Sequence, residues 1–260
     1  MQNMTQSLHP AAEKGFSAGA ALYQTVRPNY PENITGWLHS ALKLPPDAQL
    51  LDLGTGTGKF LPYLKALSSR IIAADPVPEM LKQLHQAHPD IQTVQARSDQ
   101  LPLADQSIQA VFCAQSFHWF ANRETLAELH RIVQDHGYLV LVWNQRDVNV
   151  SWVKALAGHL LPLEGDTPRY HSGLWRKAFE QQNYFQLKTQ TELTQLHHGT
   201  VEQVVSKRLL STSFIAALPE AQQQALKLQF EQIVLQHTGK HAQDSIDFPY
   251  TTHVYVFQKI

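Results

Sequence analysis

The sequence has little cysteine and no excess of charge of either sign, and both shortages exclude classes of protein. Cys113 is the only cysteine among 260 residues, so the chain forms no internal disulfide and offers no paired thiolates for a zinc site. Lys and Arg number 21 against 22 Asp and Glu, so no overall positive field attracts nucleic acid or an anionic membrane. We therefore expect no nucleic-acid partner, no membrane partner and no bound metal.

Long apolar runs are also missing, and we expect no secretory leader. No segment approaches the roughly 20 consecutive apolar residues that span a bilayer, and residues 1–20 contain no basic stretch followed by an apolar run. We expect a cytoplasmic protein that is a monomer or a homodimer. With 43% hydrophobic and 17% charged residues, the chain has enough apolar side chains to build its own core.

From residue 49 to residue 143, short β-prone apolar runs alternate with stretches of helical periodicity. This is the pattern of βαβ units and a mostly parallel sheet. We predict strands at 49–53, 70–74, 91–95, 108–114 and 138–143, and helices after Pro31 and at 59–67, 79–86 and 122–133, with Gly137 as a helix stop. Downstream, 144–168 is mixed, 185–196 and 250–258 alternate like strands, and 201–210 and 220–237 read as helices.

The segment LLDLGTGTGKF, residues 50–60, leads from a predicted buried strand through three alternate glycines into a predicted helix. Glycines at this position let the backbone turn tightly and approach a ligand closely, while the helix presents free amide groups. A nucleotide-like ligand is implied. A phosphate-binding P-loop is excluded, because Phe60 follows Gly58 and Lys59 and no glycine lies five residues earlier. Lys59 also interrupts the GxGxxG dinucleotide pattern, which weakens a nicotinamide cofactor without eliminating it.

Asp75 ends the second predicted strand, about twenty residues after Gly54. A carboxylate in this place can accept hydrogen bonds from two ribose hydroxyls, or it can cap the next helix. Pro76 and Val77, which follow it, are candidates to lie against an adenine face or to join the core.

Several segments occur in this chain in a fixed order: FSAGAALYQTVRPNYP, LDLGTGTG, Asp75, SDQLPLADQSIQAVFCAQSFHWF, LVLVWNQRD, STSFIAALPE and DFPYTTHVY. In that order, and over nearly the whole chain, they resemble the class I S-adenosylmethionine-dependent methyltransferases, in particular the methyltransferase type 11 group that includes trans-aconitate methyltransferase-like proteins. The resemblance implies an α/β fold with a Rossmann-like, mostly parallel seven-stranded sheet, helices on both faces, an antiparallel last strand and a helical cap. It also implies S-adenosylmethionine as cofactor, S-adenosylhomocysteine as product and a small-molecule methyl acceptor.

The resemblance further implies cofactor contacts, position by position. Asp52 and Gly54 match residues near the methionine amino group, and Asp75 matches the ribose ligand. Arg97 stands where related enzymes often carry Asp, so Asp99 alone would read the adenine amino group. The full set of expected contacts is Tyr23, Arg27, Asp52, Gly54, Thr55, Gly56, Gly58, Asp75, Pro76, Ser98, Asp99 and Gln115.

Three further members of that set have specific expected roles. Gln115 matches the position that ends the fourth strand beside the methionine portion, and Tyr23 with Arg27 matches an N-terminal segment that covers the cofactor in similar proteins. Arg27 would pair with the cofactor's carboxylate or remain a surface charge.

His118, in QSFHWF, is the candidate catalytic residue, because it follows the fourth strand where the methyl group should lie. It would act as a base if the acceptor must lose a proton, or it would simply be packed among aromatic residues. The segment lacks the Asn/Asp-Pro-Pro-Tyr sequence of amide and adenine nitrogen methyltransferases. A small molecule, with a carboxylate as one candidate, is therefore the expected acceptor, and four basic residues are candidates to bind it: Arg169, Arg176, Lys207 and Arg208.

We expect one methyltransferase domain over residues 1–260. Its cofactor-binding core would span about 31–147, with closing strands at about 184–196 and 249–259. The cap would come from 1–30, 148–183 and 197–248. Two other functions remain open at this stage, since fold alone does not decide function: a nicotinamide-dependent oxidoreductase and a non-catalytic S-adenosylmethionine-binding protein.

Overall fold

The strands form a seven-stranded sheet, which we describe from a computed structural model for residues 26–260. The strands are β1 (Gln49–Leu53), β2 (Arg70–Asp75), β3 (Gln92–Gln95), β4 (Ile108–Ala114), β5 (Val133–Arg146), β6 (Phe185–Thr200) and β7 (Ser245–Lys259). Their order across the sheet is β3-β2-β1-β4-β5-β7-β6. The pairs from β3 to β5 are parallel, and β7 is antiparallel to β5. The predicted seven-stranded sheet with an antiparallel last strand is confirmed.

Helices connect the strands. The α-helices are α1 (Ile34–Leu42), α2 (Leu61–Lys65), α3 (Pro78–Ala87), α4 (Arg123–Ile132), α5 (Ser151–Leu160), α6 (Arg208–Leu210), α7 (Ser213–Ala216) and α8 (Glu220–Thr238). Short 3-10 helices occupy Phe117–Trp119, Leu161–Leu163 and Leu174–Phe179, and a π-helix occupies Val201–Lys207. Among residues 26–260, no helix has the length and apolar character needed to cross a membrane.

The described chain forms two compact units. The larger unit consists of Pro28–Asp147, Pro168–His197 and Pro249–Ile260. The smaller unit consists of residues 26–27, Val148–Thr167 and His198–Phe248. Residues 168–183, which we expected in the cap, lie in the larger unit by this division. The single-domain organisation stays a prediction.

The core of the larger unit lies on both faces of the sheet. Successive side chains of a strand point to opposite faces, and β1 follows this rule: Leu51 and Leu53 pack with α4, whereas Leu50 packs with α1 and α2. All three leucines are at most 1% exposed. This burial explains why β1 is apolar, and it fixes the point where the chain must leave the sheet after Leu53.

Several local predictions differ from the structure, including the start of β5. Gly137 is not a helix stop, because α4 ends at Ile132 and Gly137 lies inside β5. A Cβ atom there would lie 2.6 Å from Val133 Cγ1 and 2.8 Å from the Gln109 carbonyl oxygen, so close strand packing requires the glycine. The mixed stretch 144–168 contains α5, and the predicted helix 201–210 begins as a π-helix.

Candidate functional site

The glycine loop after β1 is a tight turn held by backbone hydrogen bonds. Gly54, Gly56 and Gly58 have φ values of 68°, 56° and 82°, in the left-handed region that only glycine adopts without strain. The amides of Gly54 and Thr55 donate to the Ala74 carbonyl at 2.8 and 3.1 Å. These bonds fasten the loop to the end of β2.

Asp75, at the end of β2, points at this loop. Its Oδ2 accepts the Gly56 N–H at 2.9 Å, and its Oδ1 accepts the Val77 N–H at 2.9 Å. Each carboxylate oxygen has a second lone pair, so the group retains the capacity to accept two hydroxyls. Burial raises the pKa of the Asp75 carboxyl, while the two backbone hydrogen bonds lower it.

Asp52 is a second buried carboxyl beside the loop. Its Oδ2 accepts the Thr55 hydroxyl at 2.6 Å, but its Oδ1 has no hydrogen-bond partner among residues 26–260. Burial raises the pKa of Asp52 to about 7, the Thr55 hydrogen bond acts against the rise, and the charge of Asp75 adds to it. A buried oxygen without a partner is costly, so Asp52 has an incomplete set of contacts that a cationic donor would complete.

Thr57 also has a buried polar atom without a partner in the described residues, and it was not among the predicted cofactor contacts. Its side chain is 1% exposed, and its Oγ1 has no hydrogen-bond partner within the described part of the chain. Its position in the sequence could have indicated this role, because a hydroxyl residue between two glycines of a ligand-binding turn is well placed to contact a ligand. Thr57 and Asp52 together give the loop two unmatched buried polar atoms.

The two residues expected to contact adenine, Ser98 and Asp99, follow β3, and their side chains bond to different partners. Both Asp99 oxygens are held by Arg97, at 3.0 Å from Nε and 2.8 Å from Nη2. This bidentate ion pair lowers the pKa of Asp99. The Ser98 hydroxyl meets the Thr125 hydroxyl at 2.9 Å, so the Ser98 side chain is turned toward α4. Pro76 lies at the end of β2, where its carbonyl oxygen accepts the Gln95 amide at 3.3 Å.

Gln115 directly follows β4 and has a strained conformation. Its φ is 61°, which non-glycine residues adopt infrequently and mostly where the surroundings enforce it. Its amide donates to the Val142 carbonyl at 2.8 Å, and its side chain donates to the Asn144 carbonyl at 3.2 Å. The end of β4 is therefore fixed against the end of β5.

His118 accepts a hydrogen bond from a tryptophan. The Trp143 indole N–H, on β5, donates to His118 Nδ1 at 3.0 Å. An indole nitrogen is only a donor, so Nδ1 acts as the acceptor and the neutral imidazole carries its proton on Nε2. In this arrangement Nε2 is a hydrogen-bond donor, and protonating Nδ1 would break the bond to Trp143.

The remaining candidates belong to different units or lie outside the described residues. Arg27, in the smaller unit, donates from Nη2 to the Ser211 carbonyl at 2.8 Å, and Tyr23 lies outside the described residues. Arg169 and Arg176 belong to the larger unit, whereas Lys207 and Arg208 belong to the smaller one. Within the larger unit, the structure brings together the glycine loop, Asp52, Asp75 and Pro76 at the ends of β1 and β2, with Ser98 and Asp99 after β3 and Gln115 after β4.

Comparison with known proteins agrees with this geometry. A methyltransferase domain model matches residues 51–141. An uncharacterized methyltransferase-like protein of Schizosaccharomyces pombe is 33% identical over 247 residues, which cover 95% of this chain and 96% of that protein. A malonyl-[acyl-carrier protein] O-methyltransferase of Methylococcus capsulatus is 31% identical over 135 residues, 50% of this chain and 47% of that protein. The solved structure of a candidate type II methyltransferase of Anaeromyxobacter dehalogenans has a TM-score of 0.64 at 19% identity, covering 90% of this chain and 97% of that one.

Proposed function

The chain belongs to the methyltransferase family, and we propose that it transfers the methyl group of S-adenosylmethionine to a small-molecule acceptor. One observation carries the proposal: two buried carboxyls, Asp52 and Asp75, contact a single glycine turn at the ends of β1 and β2. In α/β sheets, adenosyl ligands bind at the carboxyl ends of the strands, next to a glycine turn that leads into a helix.

The residues present fit this cofactor. A methionine amino group is a cation that would give Asp52 Oδ1 its missing partner, and ribose hydroxyls suit the second lone pairs of Asp75. We assign Gly54, Thr55 and Gly56 to the close approach of the backbone. Because Arg97 holds the Asp99 side chain and Ser98 turns its hydroxyl to α4, we expect the backbone of this segment to read the adenine.

The chain's own task in catalysis is placement. When bound, S-adenosylmethionine supplies a methyl group already activated by its sulfonium. Holding two reactants in line can lower a barrier by roughly 7–11 kcal/mol, so a nucleophilic side chain is not required. Gln115, fixed in its strained conformation against β5, is suited to hold the methionine portion in one orientation.

A carboxylate is the acceptor that we favour. It is already deprotonated at neutral pH, so it needs no base, and the Methylococcus relative is named for O-methylation of a malonyl group. His118 fits such an acceptor as a donor, because its Nδ1 is occupied by Trp143. We therefore assign His118 Nε2–H to binding an acceptor oxygen rather than to removing a proton.

Two amide substitutions at His118 distinguish a donor from a base. Gln places an amide N–H near the Nε2 position but cannot accept a proton, so His118→Gln should retain activity within about tenfold, the value of one neutral hydrogen bond. His118→Asn places its amide nearer Nδ1 and should lose more. The measurement is the pH profile of kcat/KM for both variants. A loss of 10²-fold or more in His118→Gln, together with loss of an ascending pH limb, would instead identify a base.

Ligand binding tests the cofactor. S-adenosylhomocysteine at a hundredfold its Kd should stabilise the protein by about 2.7 kcal/mol, which at roughly 2–4 °C per kcal/mol raises Tm by about 5–10 °C. NAD should give no shift. A shift with NAD alone would favour an oxidoreductase. Incubation with S-adenosylmethionine labelled in its methyl group and a mixture of small organic acids should then yield a labelled ester, detected by mass spectrometry, whereas binding without any labelled product would favour a non-catalytic sensor.

Affinity for S-adenosylhomocysteine should depend on pH through Asp52. The free protein holds this carboxyl protonated below a pKa of about 7, and a cationic amino group binds the ionised form more tightly. Affinity should therefore fall as pH falls, by about tenfold per unit in the limit below pH 7. Calorimetry from pH 5.5 to 8.5 measures the slope. Asp52→Asn should bind weakly with a flatter profile, and an equal slope in both proteins would contradict the assignment.

A further inference from the structure

Arg208 is a buried cation in the smaller unit. Its side chain is 8% exposed, and its Nε and Nη1 have no hydrogen-bond partner among residues 26–260. No carboxylate of the described residues lies within ion-pair distance of it. A buried guanidinium without a counter-charge costs free energy, so its presence calls for a ligand that the protein itself does not supply.

The carboxylates on the neighbouring helices have other partners. Glu202 pairs with Lys227 at 3.2 Å and with Lys207 at 3.6 Å. Glu231 pairs with Lys227 at 3.0 Å and accepts the Ser206 hydroxyl at 3.0 Å. The smaller unit therefore satisfies the lysines around the π-helix and leaves the arginine that follows it without an anion.

Two hydroxyls close to Arg208 in the chain are also buried without a hydrogen-bond partner among residues 26–260. Thr212 and Ser213 are 1% and 3% exposed, and neither hydroxyl has a hydrogen-bond partner within the described part of the chain. Ser211, between them and Arg208, donates to the Arg208 carbonyl at 2.8 Å and accepts from Arg27 Nε at 3.2 Å. The turn thus binds a second cation, Arg27, through Ser211, and it contains several buried donors without partners in the described residues.

We propose that Arg208, Thr212 and Ser213 form a binding site for the carboxylate of a small molecule. A planar guanidinium matches a carboxylate, and hydroxyls supply the remaining donors. The π-helix Val201–Lys207 that leads into Arg208 supports the proposal, because such helices are rare and are found frequently at functional sites. The proposal rests on the proposed function only if the carboxylate belongs to the methyl acceptor. A separate acid would present the same chemistry.

Stability without ligand is the first test. Arg208→Met replaces an unpaired buried charge with an apolar chain of similar volume, so Tm should stay the same or rise. Thr212→Val should behave likewise, since it removes a buried hydroxyl that has no partner. Lys207→Met is the matched control, because Lys207 is the neighbouring residue and its side chain is exposed. This substitution should change Tm little. A fall of several degrees in Arg208→Met would show that the arginine is paired within the protein and would overturn the proposal.

Ligand-dependent stability is the second test. Succinate, tricarballylate, benzoate and decanoate are compared with their neutral amides and with sulfate at equal ionic strength. At least one acid should raise Tm of the wild type and of Lys207→Met, and its amide should not. Arg208→Met should lose the shift, and Thr212→Val should weaken binding about tenfold. The proposal fails if no acid exceeds sulfate, or if acids protect Arg208→Met as well as wild type.

Two further measurements identify the source of the carboxylate. An acid that binds and gains a methyl group from S-adenosylmethionine is the acceptor, whereas an acid that binds unchanged is a separate ligand. Arg208→Met should keep the Tm shift caused by S-adenosylhomocysteine, because that ligand is assigned to the larger unit. Absence of this shift in wild type as well would refute the proposed function while leaving the acid-binding result standing.

Discussion

Replacing Asp75 by alanine is expected to weaken S-adenosylhomocysteine binding by about 10²–10⁴-fold. Hydrogen bonds to a charged group contribute about 1.5–3 kcal/mol each, and in the proposed cofactor assignment the Asp75 carboxylate accepts two ribose hydroxyls in addition to the Gly56 and Val77 amides. Isothermal titration calorimetry at pH 8 measures the loss. The loop amides lose their acceptor in this variant, so unfolding is followed in parallel, with an expected decrease in Tm of a few degrees.

Asp90 provides the matched control. It lies close to the beginning of β3, is exposed, and pairs with Lys65 at 2.8 Å. Asp90→Ala removes a carboxylate of the same size from the same unit and should leave the affinity for S-adenosylhomocysteine unchanged. Equal affinities for Asp75→Ala and wild type, with both proteins folded, would contradict the assignment of Asp75 to the ribose.

Gly54→Ala is expected to destabilise the protein by about 2–5 kcal/mol, from left-handed strain and overpacking combined. The added Cβ would lie 2.5 Å from Ser116 Cβ, and φ at Gly54 is 68°. At Gly56, φ is 56° but no atom lies within 4 Å of the added Cβ, so Gly56→Ala should cost only the strain, about 1–2 kcal/mol. Urea unfolding of both variants separates the clash from the strain.

The same pair of variants separates folding from binding. If the backbone at Gly56 approaches the cofactor, Gly56→Ala should weaken S-adenosylhomocysteine binding more than its small loss of stability explains. In the double variant Gly54→Ala/Ser116→Gly, the atom that causes the clash is removed, so the coupling free energy between the two sites should be favourable. Equal stability of Gly54→Ala and Gly56→Ala would refute the steric account.

The sheet could be predicted closely because burial on both faces leaves a plain sequence signal. Strands β1 and β4 match their predicted bounds, since each is a mostly apolar run that is followed by glycine or polar residues. The start of β5 was wrong because it depends on packing: Gly137 is required by contacts with Val133 and the Gln109 carbonyl. Such contacts join residues distant in the chain, and periodicity does not report them.

The site was predictable in its backbone and less so in its side-chain pairings. The spacing of Gly54 and Asp75 indicates that they meet, because parallel strands end at one edge of a sheet. The sequence does not specify which rotamers the side chains adopt. It therefore does not predict the hydrogen bond from Trp143 to His118 or the ion pair between Arg97 and Asp99. These two pairings change the assigned roles from a base to a donor and from a carboxylate to a backbone contact.

In the smaller unit, one helix could have been predicted from the sequence, whereas the π-helix and the lack of partners at Arg208 among the described residues could not. Helix α5 could have been found, because Trp152, Val153, Leu156 and Leu160 are spaced for one buried helix face and are all buried. The π-helix could not, since its hydrogen bonds skip one more residue than an α-helix while the apolar pattern looks alike. The isolation of Arg208 depends on which lysines take Glu202 and Glu231, and this is decided only in three dimensions.

A crystal structure of the protein with S-adenosylhomocysteine tests the central claim most directly. We expect the ribose hydroxyls within hydrogen-bond distance of the Asp75 carboxylate, and the amino group of the ligand beside Asp52 Oδ1. Ligand density elsewhere, or Asp52 and Asp75 retaining only the partners they have now, would contradict the account.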